Sequence, residues 1–346
     1  MDFDKVLQEA RHRAIDVWEA EFLLRKASTW DRVLELMRVA SRVRDEVLGP
    51  CIKVMGFVAS VTPCTVEPWC KYCFRWARRK LFAQRDVLEP WEIVEALRVV
   101  ESMGVKSVEL GGGTYLGEMG RLYTTNLVRY LCRELPRMGL WLNNGPSYRP
   151  SDLALMKGWG LAGAACNFET LDERKYIALR PGLKLRDRIE IVEECDRIGL
   201  WIDQTLLIGL GDNGVPNYSE WAWFLHRLRK YRFLKIVEIH PFRPTWGSPC
   251  ESDAPGSIVE TLKAMAVARL MLRDVEISGA QTPQGILAGA SLVMHVLPVT
   301  RAFRAWGRSE VFASKMIRVV NDVVVVDNLD EYTRPAREMG LSVEPL

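Results

Sequence analysis

A chain of 346 residues, 48% of them hydrophobic and 26% charged, has enough material for one large domain with a packed core. Its net charge of +3 is too small to mark nucleic acid or an anionic membrane as the main partner, and apolar runs such as 287–299 fall short of the roughly 20 residues a membrane span needs. The first residues carry no secretory core, so a cytoplasmic location is expected, and a close group among the eight cysteines is expected to bind metal rather than form disulfides.

Residues 1–48 read as an N-terminal helical segment, with Val33, Leu34, Leu36, Met37, Val39, Ala40 and Val43 making one apolar stripe. From residue 53 the pattern changes. Short apolar runs at 53–61, 107–110, 140–143, 164–168, 201–208, 236–240, 275–278 and 291–297 read as strands. Between them, helical patterns occupy 90–103, 124–138, 151–159, 185–198, 218–231 and 256–272. Such alternation predicts an α/β fold with a parallel sheet. Eight strands over roughly 250 residues suit a closed (β/α)8 TIM-type barrel spanning 49–300, with a doubly wound open sheet as the alternative. In the extension 301–346, Asn321-Asp322 between two valine-rich runs predicts a β-hairpin.

The sharpest local signal is Cys64-Thr-Val-Glu-Pro-Trp-Cys70-Lys-Tyr72-Cys73. It follows the first strand, so the barrel pattern puts three thiols at the mouth where active-site loops gather. Zinc remains an alternative, but a structural zinc site wants four ligands and no histidine lies nearby. A [4Fe–4S] cluster on three thiolates leaves one iron open to a further ligand.

On these residues the chain resembles the radical S-adenosylmethionine (SAM) superfamily, with C-x5-C-x2-C in place of the usual C-x3-C-x2-C. The resemblance implies a [4Fe–4S] cluster on Cys64, Cys70 and Cys73, with Tyr72 beside the cofactor. It also implies SAM contacts from Gly111, Gly112, Gly113 and Thr114 after the second strand and from Asn167 and Glu169 after the fourth. Arg188 would meet the SAM carboxylate, and Ile208 and Gly209 would lie against the adenine. Together with His240-Pro-Phe-Arg-Pro-Thr-Trp-Gly247-Ser-Pro249 and Ala288-Gly-Ala-Ser291, these elements resemble the biotin synthase-like branch over about 50–300. The implied chemistry is one-electron cleavage of SAM to a 5′-deoxyadenosyl radical, which takes hydrogen from a small-molecule or carrier-bound substrate. A ferredoxin or flavodoxin would supply the electron.

The segments equivalent to biotin synthase's second-cluster ligands contain no cysteine, so biotin formation is not expected. The x5 interval resembles that of the HmdB proteins, which help build the iron–guanylylpyridinol cofactor of [Fe]-hydrogenase. Cys51, Cys166 and Cys250 leave open a second cluster and sulfur insertion of the archaeal lipoyl synthase type; a non-catalytic iron–sulfur protein is a third reading. His240, Arg243 and Gln281 could face substrate or merely cap strand ends.

Overall fold

The computed structural model describes residues 1–76, 86–279, 283–302, 304 and 314–346. Three helices, α1 (Phe3–Ala10), α2 (Val17–Lys26) and α3 (Trp30–Leu48), precede β1 (Cys51–Val58). There follow α4 (Pro90–Ser102), β2 (Ser107–Gly111), α5 (Gly117–Glu134), β3 (Gly139–Asn143), α6 (Leu153–Gly158) and β4 (Gly163–Ala165). Next come α7 (Glu173–Leu179), α8 (Leu185–Ile198), β5 (Trp201–Ile208), α9 (Tyr218–Leu228), β6 (Leu234–Pro241), α10 (Ile258–Met271) and β7 (Glu276–Gly279). The chain ends with α11 (Pro283–Leu287), β8 (Leu292–Arg301), β9 (Met316–Val320), β10 (Val323–Val326), α12 (Leu329–Glu338) and β11 (Ser342–Pro345).

All eight expected strands form, and they lie in sequence order with parallel pairing, β8 beside β1. Strand alternation divides the side chains between two environments. On β5, Ile202, Leu206 and Ile208 join the core under the helices, while Asp203 meets Glu109 of β2 and Glu238 of β6 across the lumen. The lumen floor is apolar, made by Met55, Trp141, Ile236, Leu292 and Met294 with Leu346 against them. A side chain at Gly163 would sit 2.3 Å from the Trp141 ring, so that glycine makes room for the floor.

Two details differ from the expectation. β7 and β8 adjoin without a ladder; Ser291 makes the seam, its N–H donating to Ile277 O (2.9 Å) and its hydroxyl to Glu276 Oε2 (2.6 Å). β8 is irregular here, with His295 and Leu297 at positive φ and register shifts against β1. β4 stops at Ala165, short of the expected 168, and beyond it Glu169, at φ +63°, makes an isolated bridge to Leu206.

The N-terminal helices form an outer layer, α3 against α10 and α2 against α9. Arg44 reaches from α3 to the carbonyls of Ile286 (2.6 Å) and Ala290 (3.1 Å). The hairpin forms as expected and extends the barrel sheet, β10 pairing antiparallel with β8. β11 returns to pair in parallel with the start of β1.

Arg301 clamps the hairpin turn to α4, bonding Glu92 Oε2 (2.9 Å), Asp322 (2.6 Å) and Val87 O (3.0 Å). Burial works to raise the Glu92 carboxyl; Arg301, the Glu89 N–H and Asn321 overcome it and hold it below its ordinary value. A carboxyl lowered on folding contributes stability above its unfolded value and loses it as pH falls through the folded one. Arg301→Ala strands a buried carboxylate and is expected to cost about 3 kcal/mol near neutral pH. Thermal melting should show the gap from wild type narrowing in acid, where Glu92 takes up a proton.

Candidate active site at the barrel mouth

The cysteine loop leaves β1 and is docked on the glycine run after β2. Val61 N–H donates to Gly111 O (3.0 Å), Gly113 N–H to Thr62 O (2.9 Å), Thr62 Oγ1 to Gly113 O (2.6 Å) and Thr65 N–H to Thr114 O (3.0 Å). A Cβ on Gly112 would lie 2.2 Å from Thr62 Oγ1, and one on Gly113 2.3 Å from Cys64 Cβ. These glycines are therefore required for two backbones to approach, before any ligand is considered. Farther along, Lys71 N–H donates to Leu179 O (2.8 Å), Cys73 N–H to Cys70 O (3.2 Å) and Trp76 Nε1 to Cys70 O (2.8 Å).

Burial pushes the Cys73 thiol up to about 11, with the nearby Cys70 and Cys64 adding to the rise, and burial also raises Cys70. Arg75 donates to Cys64 Sγ (3.3 Å) and stands 3.9 Å from the centre of the Trp69 ring. It is a cation beside a thiol that sequence reading missed, although its position two residues after Cys73 was visible. The three-thiol donor set suits an iron–sulfur cube, which leaves one iron open, better than structural zinc, which wants four ligands.

Asn167, Glu169, Arg188, Ile208 and Gly209 lie at the C-terminal ends of β4 and β5 or on α8. Asn167 Oδ1 is buried without a hydrogen-bond partner among the described residues. Arg188 is buried, not exposed on its helix; it donates to Tyr176 Oη (2.8 Å) and Asn167 O (3.0 Å) and has no carboxylate partner among the described residues. A buried guanidinium without a counter-ion, next to an orphaned amide oxygen, fits the carboxylate and hydroxyls of a SAM molecule. Glu169 is otherwise engaged: it pairs with Arg180 and accepts from Tyr72, and Arg180 donates to Tyr72 in turn. This triad ties Tyr72 to the β4 end and was not legible from the motif. Gly209 has φ +87° and would place a Cβ 2.8 Å from Gly256 Cα, while Ile208 O accepts from Phe242 N–H (2.9 Å).

Below the mouth lies an acidic layer that sequence reading missed apart from His240. One carboxylate oxygen each from Glu109, Asp203 and Glu238 lie within 4.8 Å of one another, all buried. His240 Nε2 is 3.0 Å from Glu238, His295 Nε2 is 3.3 Å from Glu109, and Asn143 donates to Glu109. Burial pushes Asp203 well above the ordinary carboxylate range, and the charges of Glu238 and Glu109 push the same way. Arg243 is exposed, and Gln281 lies outside the described residues. Of the spare cysteines, Cys51 opens β1 at the far end of the barrel, whereas Cys166 follows β4 and Cys250 follows β6, the latter packed near Tyr72.

No protein-family model matches the chain. It is similar to the [FeFe] hydrogenase maturase subunit HydE of Thermotoga maritima, 23% identical over 258 residues covering 73% of this chain and 70% of that protein. It is similar also to the biotin synthase of Thermodesulfovibrio yellowstonii, 23% identical over 272 residues covering 76% and 83%. The crystal structure of methylornithine synthase (PylB) superposes with a TM-score of 0.74 at 21% identity, covering 99% of this chain and 97% of that one. The shared architecture is the barrel with its loops at one mouth.

Proposed function

We infer that the chain is a radical SAM enzyme of the biotin synthase-like group, and we propose that Cys64, Cys70 and Cys73 hold its [4Fe–4S] cluster. One observation supports it most: the cysteine loop is docked on Gly111–Thr114 at the barrel mouth, above the buried carboxylates of Glu109, Asp203 and Glu238. When bound, the reduced cluster supplies the electron that cleaves SAM to methionine and a 5′-deoxyadenosyl radical.

The chain's own residues bind and orient. Arg188 offers its guanidinium to the SAM carboxylate, and Asn167 Oδ1 accepts from a ribose hydroxyl. Tyr72, held by Glu169 and Arg180, fixes the second half of the cysteine loop. The apolar floor shuts the lower end of the lumen to water. The finer assignment is a step in metallocofactor assembly of the HmdB kind, drawing its electron from a ferredoxin or flavodoxin; the C-x5-C-x2-C spacing supports it. With Cys51 at the opposite end of the barrel from Cys166 and Cys250, the three do not make one ligand set, which disfavours a second cluster and hence sulfur insertion.

Anaerobically reconstituted protein is expected to carry about four iron per chain. Reduced with dithionite and given SAM, it should release 5′-deoxyadenosine, whereas Cys73→Ala should do neither. Product no higher than in the Cys73→Ala control would sink the radical reading. About eight iron per chain would favour sulfur insertion instead.

A further inference from the structure

The acidic layer of the lumen is more than a cluster of carboxylates, because its members differ in how they are satisfied. Glu109 accepts from Asn143 and faces His295. Glu238 accepts from Thr205 Oγ1 (3.4 Å) and faces His240. Asp203 stands between them, 1% exposed; no N–H or hydroxyl among the described residues donates to it, and it faces the Glu238 carboxylate, with which it can share a proton. A separate strand supplies a second unmet group. Ser278 of β7 pairs in register with Glu238, is 1% exposed, and its hydroxyl has no partner among the described residues. It shares a strand face with Glu276, whose carboxylate meets Lys53 across the barrel, so Ser278 also points into the lumen.

Lys53 and Lys235 are both spent on Glu276 at the lower end and give Asp203 no counter-charge. A buried carboxylate is retained at a cost unless a cation or a proton answers it. Oxygens around a protonated primary amine, at N···O distances of about 2.8 Å, stand ~4.6 Å apart if arranged tetrahedrally. The three carboxylate oxygens lie within 4.8 Å of one another, inside the span over which one such group could be met by all three.

We propose that Glu109, Asp203 and Glu238, with Ser278 beside them, bind a primary ammonium group of the substrate. This deepens the radical SAM reading and rests on it for the statement that the lumen is where substrate sits. The amine would anchor one end of the molecule on the acidic layer and present its carbon chain toward the mouth. The two histidines back the outer glutamates and hold their carboxylates in place.

Calorimetric titration of the reconstituted protein tests it, with n-butylammonium, tetramethylammonium, n-butanol and Mn2+ as probes. The expected result is saturable binding of n-butylammonium, weaker tetramethylammonium, which has no N–H to donate, and no binding of n-butanol. Asp203→Asn should weaken n-butylammonium at least about tenfold. It should also melt no lower than wild type, since the isosteric amide keeps the shape of the carboxyl and can donate to Glu238 as the protonated acid does. Glu238→Gln gives an independent second variant. Equal binding of amine and alcohol, no amine binding, or amine binding unchanged in both variants would overturn the proposal. So would tight Mn2+ binding lost in Asp203→Asn, which would make the layer a metal site. Failure of the radical reading would appear separately, as absent 5′-deoxyadenosine from the wild-type chain.

Discussion

Gly113→Ala is expected to fold and yet fail to keep iron. The added Cβ would lie 2.3 Å from Cys64 Cβ, 2.5 Å from Cys64 N and 2.6 Å from Cys64 Cα. Two of those three atoms are backbone, so no rotamer change relieves the overlap; the loop must move off β2. Moving it breaks the Gly113–Thr62 bonds and displaces Cys64 from Cys70 and Cys73. A cluster held by only three thiolates has no spare ligand, so iron is expected to fall from about four per chain to below one after reconstitution and desalting. Gly158→Ala is the matched control. It lies at the end of α6, would meet nothing within 4 Å, and is expected to keep its iron and melt no lower. Iron retained at the wild-type level in Gly113→Ala would show that the loop is not held as described.

The contrast between those two glycines also explains what was legible in the sequence. The strand positions could be read because burial on both faces of a parallel sheet writes apolar runs such as Leu140-Trp141-Leu142. Helix 185–198 could be read to the residue because Gly199 ends it in the left-handed conformation. The cysteines were visible because their chemistry needs no partner to be recognised. What stayed hidden depends on which side of a strand a polar residue faces once the sheet curls. Asp203 and Gln204 are adjacent and equally polar, yet Gln204 bonds Phe168 N–H and Cys166 O under the helices while Asp203 enters the lumen. Glu109 is a lone acid in an apolar run, and nothing near it in sequence announces Glu238. The Glu169–Arg180–Tyr72 triad was hidden for the same reason: its members come from three segments that only the folded mouth brings together. The irregularities of β8, with His295 and Leu297 at positive φ, are likewise not encoded in composition.

Arg188 offers the sharper test of the mouth, because a packing role and a ligand role predict different measurements. Arg188 does pack: it bonds Tyr176 Oη and Asn167 O, so Arg188→Met is expected to lower the melting temperature somewhat. That loss alone would leave SAM affinity intact in whatever fraction is folded. If the guanidinium answers the SAM carboxylate, its removal strands a charged ligand group in a buried site and costs about 2 kcal/mol or more, ~30-fold in affinity. The expected result is therefore an unchanged iron content in Arg188→Met, a KM for SAM raised by about that factor, and a smaller change in kcat for 5′-deoxyadenosine release. Arg188→Lys restores the charge without the planar fork and is expected to fall between the two. Wild-type SAM affinity in the folded Arg188→Met protein would assign this residue to packing. The buried cation would then lack a counter-ion for some other reason, and the carboxylate of SAM would have to be met elsewhere at the mouth.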